Sequence, residues 1–386
     1  MIEKRVPPLL SIGFRPFFLL AGLASVMLIF IWGGLLQHGI FPQNYYSPVN
    51  WHAHEMLFGY TVAVVAGFLL TSVKNWTGIT TAEGYSLAGL ALLWLLGRLV
   101  PFAEAILPVW LLALIDLAFL PCLTIYLAIP LWRERKARNY ILIVLLLSMF
   151  VANILFHLDT FGVTSIGVSH LYSLVVGAIM VLVAIIAGRV LPFFTQRGLP
   201  GAQPISWPWV DKISIGSLLA LMLIKPFFVS SLAFMACSII AIVANTIRLT
   251  GWYCKGVHKV GLLWVLFTGY AWLIVGLTLD FMAAFSIAPP QLALHAMTVG
   301  CIGVMTLGMM TRVSLGHTGR EILANKVITA SFLVINLAVF CRVIMPLIDP
   351  AGYMVWVVTS SGLWSLAFAI YIIYFMPVLF KKRADA

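Results

Sequence analysis

The stretch 51–56, with the sequence Trp-His-Ala-His-Glu-Met, carries the residue types in this chain that are best suited to chemistry. His52, His54 and Glu55 can all bind a metal, and they stand at the head of a long apolar run. Burying imidazole and carboxylate groups beside hydrocarbon is costly, so ionisable groups at such a position indicate a functional site. The alternative is that these histidines are interfacial side chains wetted by lipid headgroups.

The spacing of the two histidines restricts what they can do together. Residues two apart on a helix point about 200° away from each other, so His52 and His54 cannot bind one metal ion from a regular helix. They could serve two centres on opposite sides, or one could be a ligand and the other a hydrogen-bonding group. We expect Glu55 to fix the tautomer of an imidazole, without being a ligand itself.

Other histidines stand at the ends of apolar runs. His170 and His295 each begin one, and His157 ends another. Met297, two residues after His295, could bind haem iron or copper(I) through its thioether sulfur. Asp159, two residues after His157, could orient a ligand or end a helix. The predicted metal ligands are therefore His52, His54, His157, His170 and His295.

The sequence indicates that His52 and His54 have different roles. It says less about which metal each of them binds. We expect His54 to bind haem, with His295 as the opposing ligand. His52 would then bind copper, with His170 as its co-ligand. The reverse assignment satisfies helical geometry equally well.

The composition requires a bilayer around these residues. The chain has 386 residues, of which 62% are hydrophobic and 9% charged, whereas soluble domains carry roughly 25% charged residues. Runs of about 20 apolar residues can cross the hydrocarbon core as helices. We predict an all-α, polytopic, single transmembrane domain over 1–386 with about twelve spans. They lie near 17–37, 51–73, 84–101, 106–131, 139–158, 168–191, 212–229, 231–250, 260–283, 290–311, 326–346 and 353–379.

The cations predict how the spans are oriented. With twelve spans, all but three of the 23 lysines and arginines fall on one side, the exceptions being Arg98, Lys225 and Arg342. By the positive-inside rule both termini are cytoplasmic, and the five candidate histidines lie near the outer face. Because the cations stand at span ends, the net charge of +11 reflects membrane orientation and does not indicate nucleic acid as a partner.

The histidine-bearing spans recur at a regular interval. From His54 to His170 is 116 residues and from His170 to His295 is 125, which is four spans each time. This spacing suggests three pseudo-symmetric four-helix units, near 17–131, 139–250 and 260–379.

Charged and polar residues elsewhere in the spans could complete a site. Arg98 and Arg342 would be natural charge partners for haem propionates at the level of the histidines; alternatively they snorkel to the interface. Asp116 is the one acid near the middle of a span. Asn153 is a further polar group within a span, and such groups could form interhelical hydrogen bonds or part of a proton path.

Five stretches together resemble the NnrS family: 13–18, 51–59, 75–78, 188–195 and 316–320. The resemblance covers essentially the whole chain. It implies a bacterial inner-membrane protein that carries haem and copper and is linked to nitric oxide stress and denitrification.

The predicted architecture also resembles the catalytic subunit of haem–copper oxidases, which is an analogy of fold only. In those subunits span 7 supplies a histidine pair, whereas residues 213–229 contain none, and span 10 here offers His295 and Met297. A full binuclear centre is therefore not expected. The leading hypothesis is haem and copper binding near the periplasmic face, with nitric oxide bound or detoxified. The alternatives are a quinol-linked oxidoreductase that reduces a gaseous substrate and a secondary transporter with a histidine-rich site.

Overall fold

The computed structural model describes residues 6–385, and over that range it consists of helices joined by short loops, without a strand. Twelve of these helical segments are long. In chain order they are α1 (Phe14–His38), α2 (Pro48–Thr77), α3 (Gly84–Ala103), α4 (Val109–Glu134), α5 (Ala137–Thr160), α6 (Val168–Gly198), α7 (Pro208–Phe228), α8 (Leu232–Trp252), α9 (Gly261–Ala284), α10 (Pro290–Gly316), α11 (Lys326–Ile348) and α12 (Tyr353–Phe380).

The predicted all-helical membrane fold is confirmed. Eleven of the twelve segments are long and apolar enough to cross a membrane. The exception, α7, has a similar length but carries three charged residues, Asp211, Lys212 and Lys225. The helix boundaries follow the apolar runs to within a few residues.

Local residue types explain several helix ends. Pro48 and Pro290 stand in the first turn of α2 and α10, where a missing N–H removes no hydrogen bond from the helix. Gly39 and Gly78 follow α1 and α2 with φ of +66° and +71°, the left-handed conformation that commonly ends helices. Large apolar side chains such as Phe30 remain exposed, which fits a surface that faces lipid.

Three spans contain a stretch of π-helix. These stretches are Glu55–Thr61 in α2, Ala296–Gly303 in α10 and Phe340–Ile344 in α11. The first two begin directly after His54 and His295. Because π-turns are rare and occur frequently at functional sites, the backbone irregularity marks the same two spans as the histidine pattern.

The chain forms two compact units. Unit 1 comprises Met1–Val168, Met310–Glu321 and Phe368–Ala386, and unit 2 comprises Ser169–Met309 and Ile322–Ala367. The single domain and the three four-helix repeats stay predictions. Lys4 and Arg5, two of the cations behind the predicted orientation, lie outside the described residues.

Candidate metal centre

A group of three metal-capable side chains lies buried inside unit 1. His54 comes from α2, Asp116 from α4 and His157 from α5, and one donor atom of each lies within 4.8 Å of the others. The Nε2 atoms of both histidines are 3.2 Å from Oδ2 of Asp116. Among residues 6–385 this is the one group of three or more His, Cys, Asp or Glu side chains with that spacing.

Arg98 on α3 connects this group to the carboxylate that follows His54. Its guanidinium donates to Glu55 Oε1 at 2.7 Å and, through Nη2, to Asp116 Oδ1. Glycines make this approach possible: a Cβ at Gly59 would lie 3.1 Å from Glu55 Oε2 and 3.2 Å from Arg98 Cδ. A Cβ at Gly97 would lie 3.2 Å from Asp116 Oδ1. The two glycines therefore set the distance between α2, α3 and α4 at the site.

Asn153 on α5 orients the two ligands beside it. Its amide nitrogen donates to Asp116 Oδ2 at 2.8 Å, and its Oδ1 lies 3.1 Å from Nε2 of His54. Nδ1 of His54 faces Glu55 Oε1 at 3.4 Å. Polar groups thus flank both nitrogens of the His54 ring, which fixes its orientation.

Aromatic side chains enclose the group. The ring of Tyr46 stacks on His54 at 4.8 Å, and those of Phe58 and Phe156 lie 4.9 and 5.1 Å from it. Tyr45 stacks on His157 at 5.9 Å, and its hydroxyl lies 3.4 Å from Nδ1 of that histidine. Because the loop between α1 and α2 supplies both tyrosines, it forms the cover of the site.

The charges of the buried group do not balance while its imidazoles are neutral. Glu55 and Asp116 bring two negative charges and Arg98 brings one positive charge, which leaves a net charge of −1. In addition, Oε2 of Glu55 is buried and has no hydrogen-bond partner among the described residues. Isolated buried charge is strongly unfavourable, so this group is suited to holding one further positive charge, either a proton on His54 or a metal cation.

The donor set fits a single metal ion better than it fits haem. Two imidazoles and one carboxylate are ligands that copper, zinc and non-haem iron accept. A porphyrin at Nε2 of His54 would have to displace Asn153, Asp116 and His157, whereas an ion would use two of them. The packing around His54 therefore suits an ion more than a porphyrin, and the haem expected at His54 from sequence stays a prediction.

His52 lies in different surroundings from His54, as their spacing on α2 requires. Its ring stacks on Trp32 of α1 at 4.3 Å and an interplanar angle of 15°. It is not a member of the ligand group that His54 forms with Asp116 and His157. The predicted inequivalence is thus visible in the packing, although the assignment of a metal to each histidine stays a prediction.

His170 and His295 belong to unit 2. Nδ1 of His170 bonds the Pro226 carbonyl, and its ring stacks on Phe227 at 5.4 Å. His295 bonds the Gln291 carbonyl through Nδ1 at 2.7 Å, while Nη2 of Arg342 lies 3.2 Å from its Nε2. In the part of the chain that is described, neither joins a group of three metal-capable side chains.

Two further predicted residues serve local structure. Met297 is buried and lines a cavity of about 30 Å³ in unit 2, together with Met180 and Met222. Asp159 accepts from the Thr164 hydroxyl at 3.3 Å and the Gly167 amide at 3.4 Å, which holds the loop after α5. The role of Met297 as a metal ligand and that of Asp159 as an orienting group stay predictions.

Sequence reasoning undervalued four residues of the site: Asp116, Asn153, Tyr45 and Tyr46. An acid in the middle of an apolar span was a usable signal for Asp116, because such residues usually face a polar partner inside the bundle. The tyrosines lie in a loop, and no spacing rule connected them with His54 and His157.

Comparison with known families gives one result for the whole chain. The family model described as NnrS protein matches residues 8–383, which confirms the resemblance drawn from the five stretches. A comparison with curated proteins finds no match.

Proposed function

Because the chain belongs to the NnrS family, we propose that it is a haem- and copper-containing protein of the bacterial inner membrane that binds nitric oxide or protects the cell against it. The observation that carries the proposal is the buried group of His54, Asp116 and His157, with its unbalanced negative charge. The copper and nitric oxide parts rest on this donor set together with the family resemblance.

His54, His157 and Asp116 would hold one copper ion in unit 1. Bound copper would supply a redox-active centre that could coordinate a small gas ligand. Arg98 would balance the charge of Asp116 and Glu55, and Asn153 would hold Asp116 and His54 in position. Tyr45 and Tyr46 would keep water away from the centre, which strengthens every electrostatic interaction inside it.

Haem fits His295 better than His54. The His295 ring is only partly buried, and the Gln291 carbonyl bound to Nδ1 fixes the tautomer that leaves a lone pair on Nε2. Nη2 of Arg342 lies 3.2 Å from that nitrogen and would have to move aside for a bound group, whereas three side chains would have to move at His54. We therefore assign the haem part of the proposal to unit 2, with His295 as its candidate ligand.

A second candidate function uses the same charge imbalance differently. If a proton on His54 replaces the metal, the hydroxyl of Tyr45, His157 and Asp116 form a chain of polar contacts from the loop into the buried group. Such a chain would suit a proton-coupled transporter. A quinol-linked oxidoreductase would need both the metal and an electron donor.

Metal analysis of the purified full-length chain separates these functions. We expect about one copper per chain in the wild type, and a loss of at least about tenfold in His54→Ala and in His157→Ala, because each removes a ligand. His38→Ala, which removes an exposed histidine outside the group, is the matched control and should retain copper. Copper-free wild-type protein from copper-replete cells would contradict the proposal and favour the transporter. Nitric oxide consumption with a quinol donor would identify the oxidoreductase.

A further inference from the structure

Arg342 is a buried cation that has no carboxylate partner among residues 6–385. It lies in the π-helical stretch of α11, and its side chain is buried within unit 2. Its contacts are Nε2 of His295 at 3.2 Å, the hydroxyl of Tyr353 at 3.3 Å and the Tyr353 ring at 5.5 Å. None of these carries a negative charge, and Nη1 of the guanidinium is buried without a hydrogen-bond partner in the described chain.

Unit 1 contains an arrangement of the same kind in which the arginine is paired with two carboxylates. In both units a histidine precedes a π-helical stretch, and an arginine on the next span reaches a residue at the start of that stretch: Arg98 bonds Glu55, and Arg342 bonds His295 itself. Arg98 lies 43 residues after Glu55, and Arg342 lies 47 residues after His295. The two sites therefore share the order of histidine, π-helical stretch and arginine on the next span, and they differ in their acids.

Neither of the two acids that pair with Arg98, Glu55 and Asp116, has an acidic counterpart in unit 2. Glu55 follows His54, whereas Ala296 follows His295. Asp116 lies on the span after Arg98, whereas the span after Arg342, Tyr353–Phe380, contains no acidic residue. Unit 2 thus keeps the cation and lacks the two carboxylates that would neutralise it.

A buried arginine needs an anion, because an uncompensated charge in a low-dielectric environment costs several kcal/mol. Its fork of N–H groups matches the geometry of a carboxylate or a similar oxyanion. The Tyr353 hydroxyl faces Nη2 of Arg342 as an acceptor, so its own hydrogen is available to a ligand. Two kinds of donor, Nη1–H and O–H, therefore lie next to each other in unit 2.

We propose that Arg342 and Tyr353 form a binding site for one monovalent oxyanion of the carboxylate type. The anion is either a propionate of a haem held at His295 or a free small oxyanion such as formate or nitrite. The propionate source rests on the proposed function. The free-anion source does not require it.

The test uses the purified full-length chain, prepared with and without haem. Calorimetric titration of the haem-free protein with sodium formate and with sodium nitrite measures the free-anion source. Retention of haem during washing measures the propionate source. The variants are Arg342→Gln and Tyr353→Phe, with Arg197→Gln as a control that removes an exposed arginine of the same unit. Circular dichroism and gel filtration report whether each variant is folded.

We expect one of the two sources to depend on Arg342. If the anion is free, Arg342→Gln should weaken formate or nitrite binding by at least about tenfold, with a smaller loss in Tyr353→Phe. If it is a propionate, the same variants should lose haem, and neither probe should bind the wild type. Should Arg342→Gln fail to fold, Tyr353→Phe decides alone. Unchanged anion binding and unchanged haem retention in the folded variants would overturn the proposal.

The experiment distinguishes failure of this anion site from failure of the proposed function. Anion binding by a haem-free and copper-free preparation would establish the site even if the chain never carries either cofactor. Conversely, a haem protein whose retention is indifferent to Arg342 and Tyr353 would support the proposed function and reject this site.

Discussion

Asp116 is the residue on which the candidate metal centre depends most, because it contacts every other polar member of the buried group except Glu55. One of its oxygens accepts from Arg98, and the other serves Asn153, His54 and His157. A carboxylate shared by this many donors gains charge-assisted hydrogen bonds, which are roughly twice as strong as neutral ones. Its loss should affect ligand binding and stability together.

We expect Asp116→Asn to lose copper by at least about tenfold and to lower the free energy of unfolding by about 2–4 kcal/mol, since Arg98 would keep only one acid partner. Metal analysis and the thermal aggregation temperature measure the two effects. The matched control is Asp280→Asn, which removes an acid of unit 2 that pairs with Lys225 at 2.5 Å. Equal copper content in the wild type and Asp116→Asn would exclude Asp116 as a ligand.

The same residue explains the limit of sequence reasoning at this scale. Asp116 and Asn153 each stand out in the sequence as polar groups within apolar spans, for which interhelical hydrogen bonds are one option, and the structure contains such a bond between the two. Nothing along the chain indicated that α2, α4 and α5 bring them to His54. The partners of a buried acid are decided by helix packing, which the spacing of residues within one helix does not encode.

The π-helical stretch of α2 is the element that positions the site. It begins at Glu55, and Gly59 lies one turn later, against the side chains of Glu55 and Arg98. The Gly59 carbonyl accepts from the Trp94 indole at 3.1 Å, which fixes α3 against this irregular backbone. The apolar run predicts a span over 51–73, within a few residues of the observed Pro48–Thr77. A regular helix was assumed there, because no residue type marks a π-turn.

Gly59→Ala should disturb the site through this element. The added methyl group would lie 3.1–3.3 Å from Glu55 Oε2 and from Arg98 Cδ and Nη1, so Arg98 has to move away from Glu55. We expect a loss of copper of several-fold and a lower thermal aggregation temperature. Gly89→Ala on α3 is the matched control, because its Cβ would meet no atom within 4 Å and alanine favours a helix by up to about 1 kcal/mol. Equal behaviour of the two variants would show that Arg98 tolerates the shift.

Three of the stretches that carry the family resemblance meet in unit 1, away from any metal ligand. The amide of Phe14 bonds the Thr71 hydroxyl at 3.0 Å, and the Phe14 ring lies 5.8 Å from that of His317. Nδ2 of Asn75 lies 3.5 Å from Nε2 of His317. These stretches therefore join α1, α2 and the loop after α10.

The contacts of His317 predict an acid sensitivity of unit 1. Burial, with a smaller contribution from the positive charge of Arg383, lowers the pKa of His317 below its usual 6.5. The unfolded chain therefore binds this proton more readily, so the stability that neutral His317 contributes is present above about pH 6.5 and falls as the pH drops below it. The thermal aggregation temperature should decrease between about pH 6.5 and 5 in the wild type, and less so in His317→Gln. An unchanged slope in the variant would assign the sensitivity to another group.

At the scale of the whole molecule, hydropathy alone predicted the helices well. Apolar runs in a bilayer have to form helices, since each backbone group needs an internal partner, and this physical rule needs no tertiary information. No comparable rule predicts the division into two units. The boundary between them falls at the start of α6, where the composition of the chain does not change. Orientation in the membrane rests on the placement of the cations and remains a prediction.

The orientation decides on which side the tyrosine cover opens, and it can be measured directly. If both termini are cytoplasmic, the loop between α1 and α2 lies outside, and the loop between α4 and α5 lies inside. Gln43 in the first of these loops and Ala137, the first residue of α5 after the second, are exposed positions within unit 1. In a variant lacking the five native cysteines, Gln43→Cys should react with a membrane-impermeant maleimide in intact spheroplasts, whereas Ala137→Cys should react only after permeabilisation. The opposite pattern would place Tyr45, Tyr46 and the candidate copper site towards the cytoplasm, and a periplasmic supply of metal or nitric oxide would then have no direct access to it.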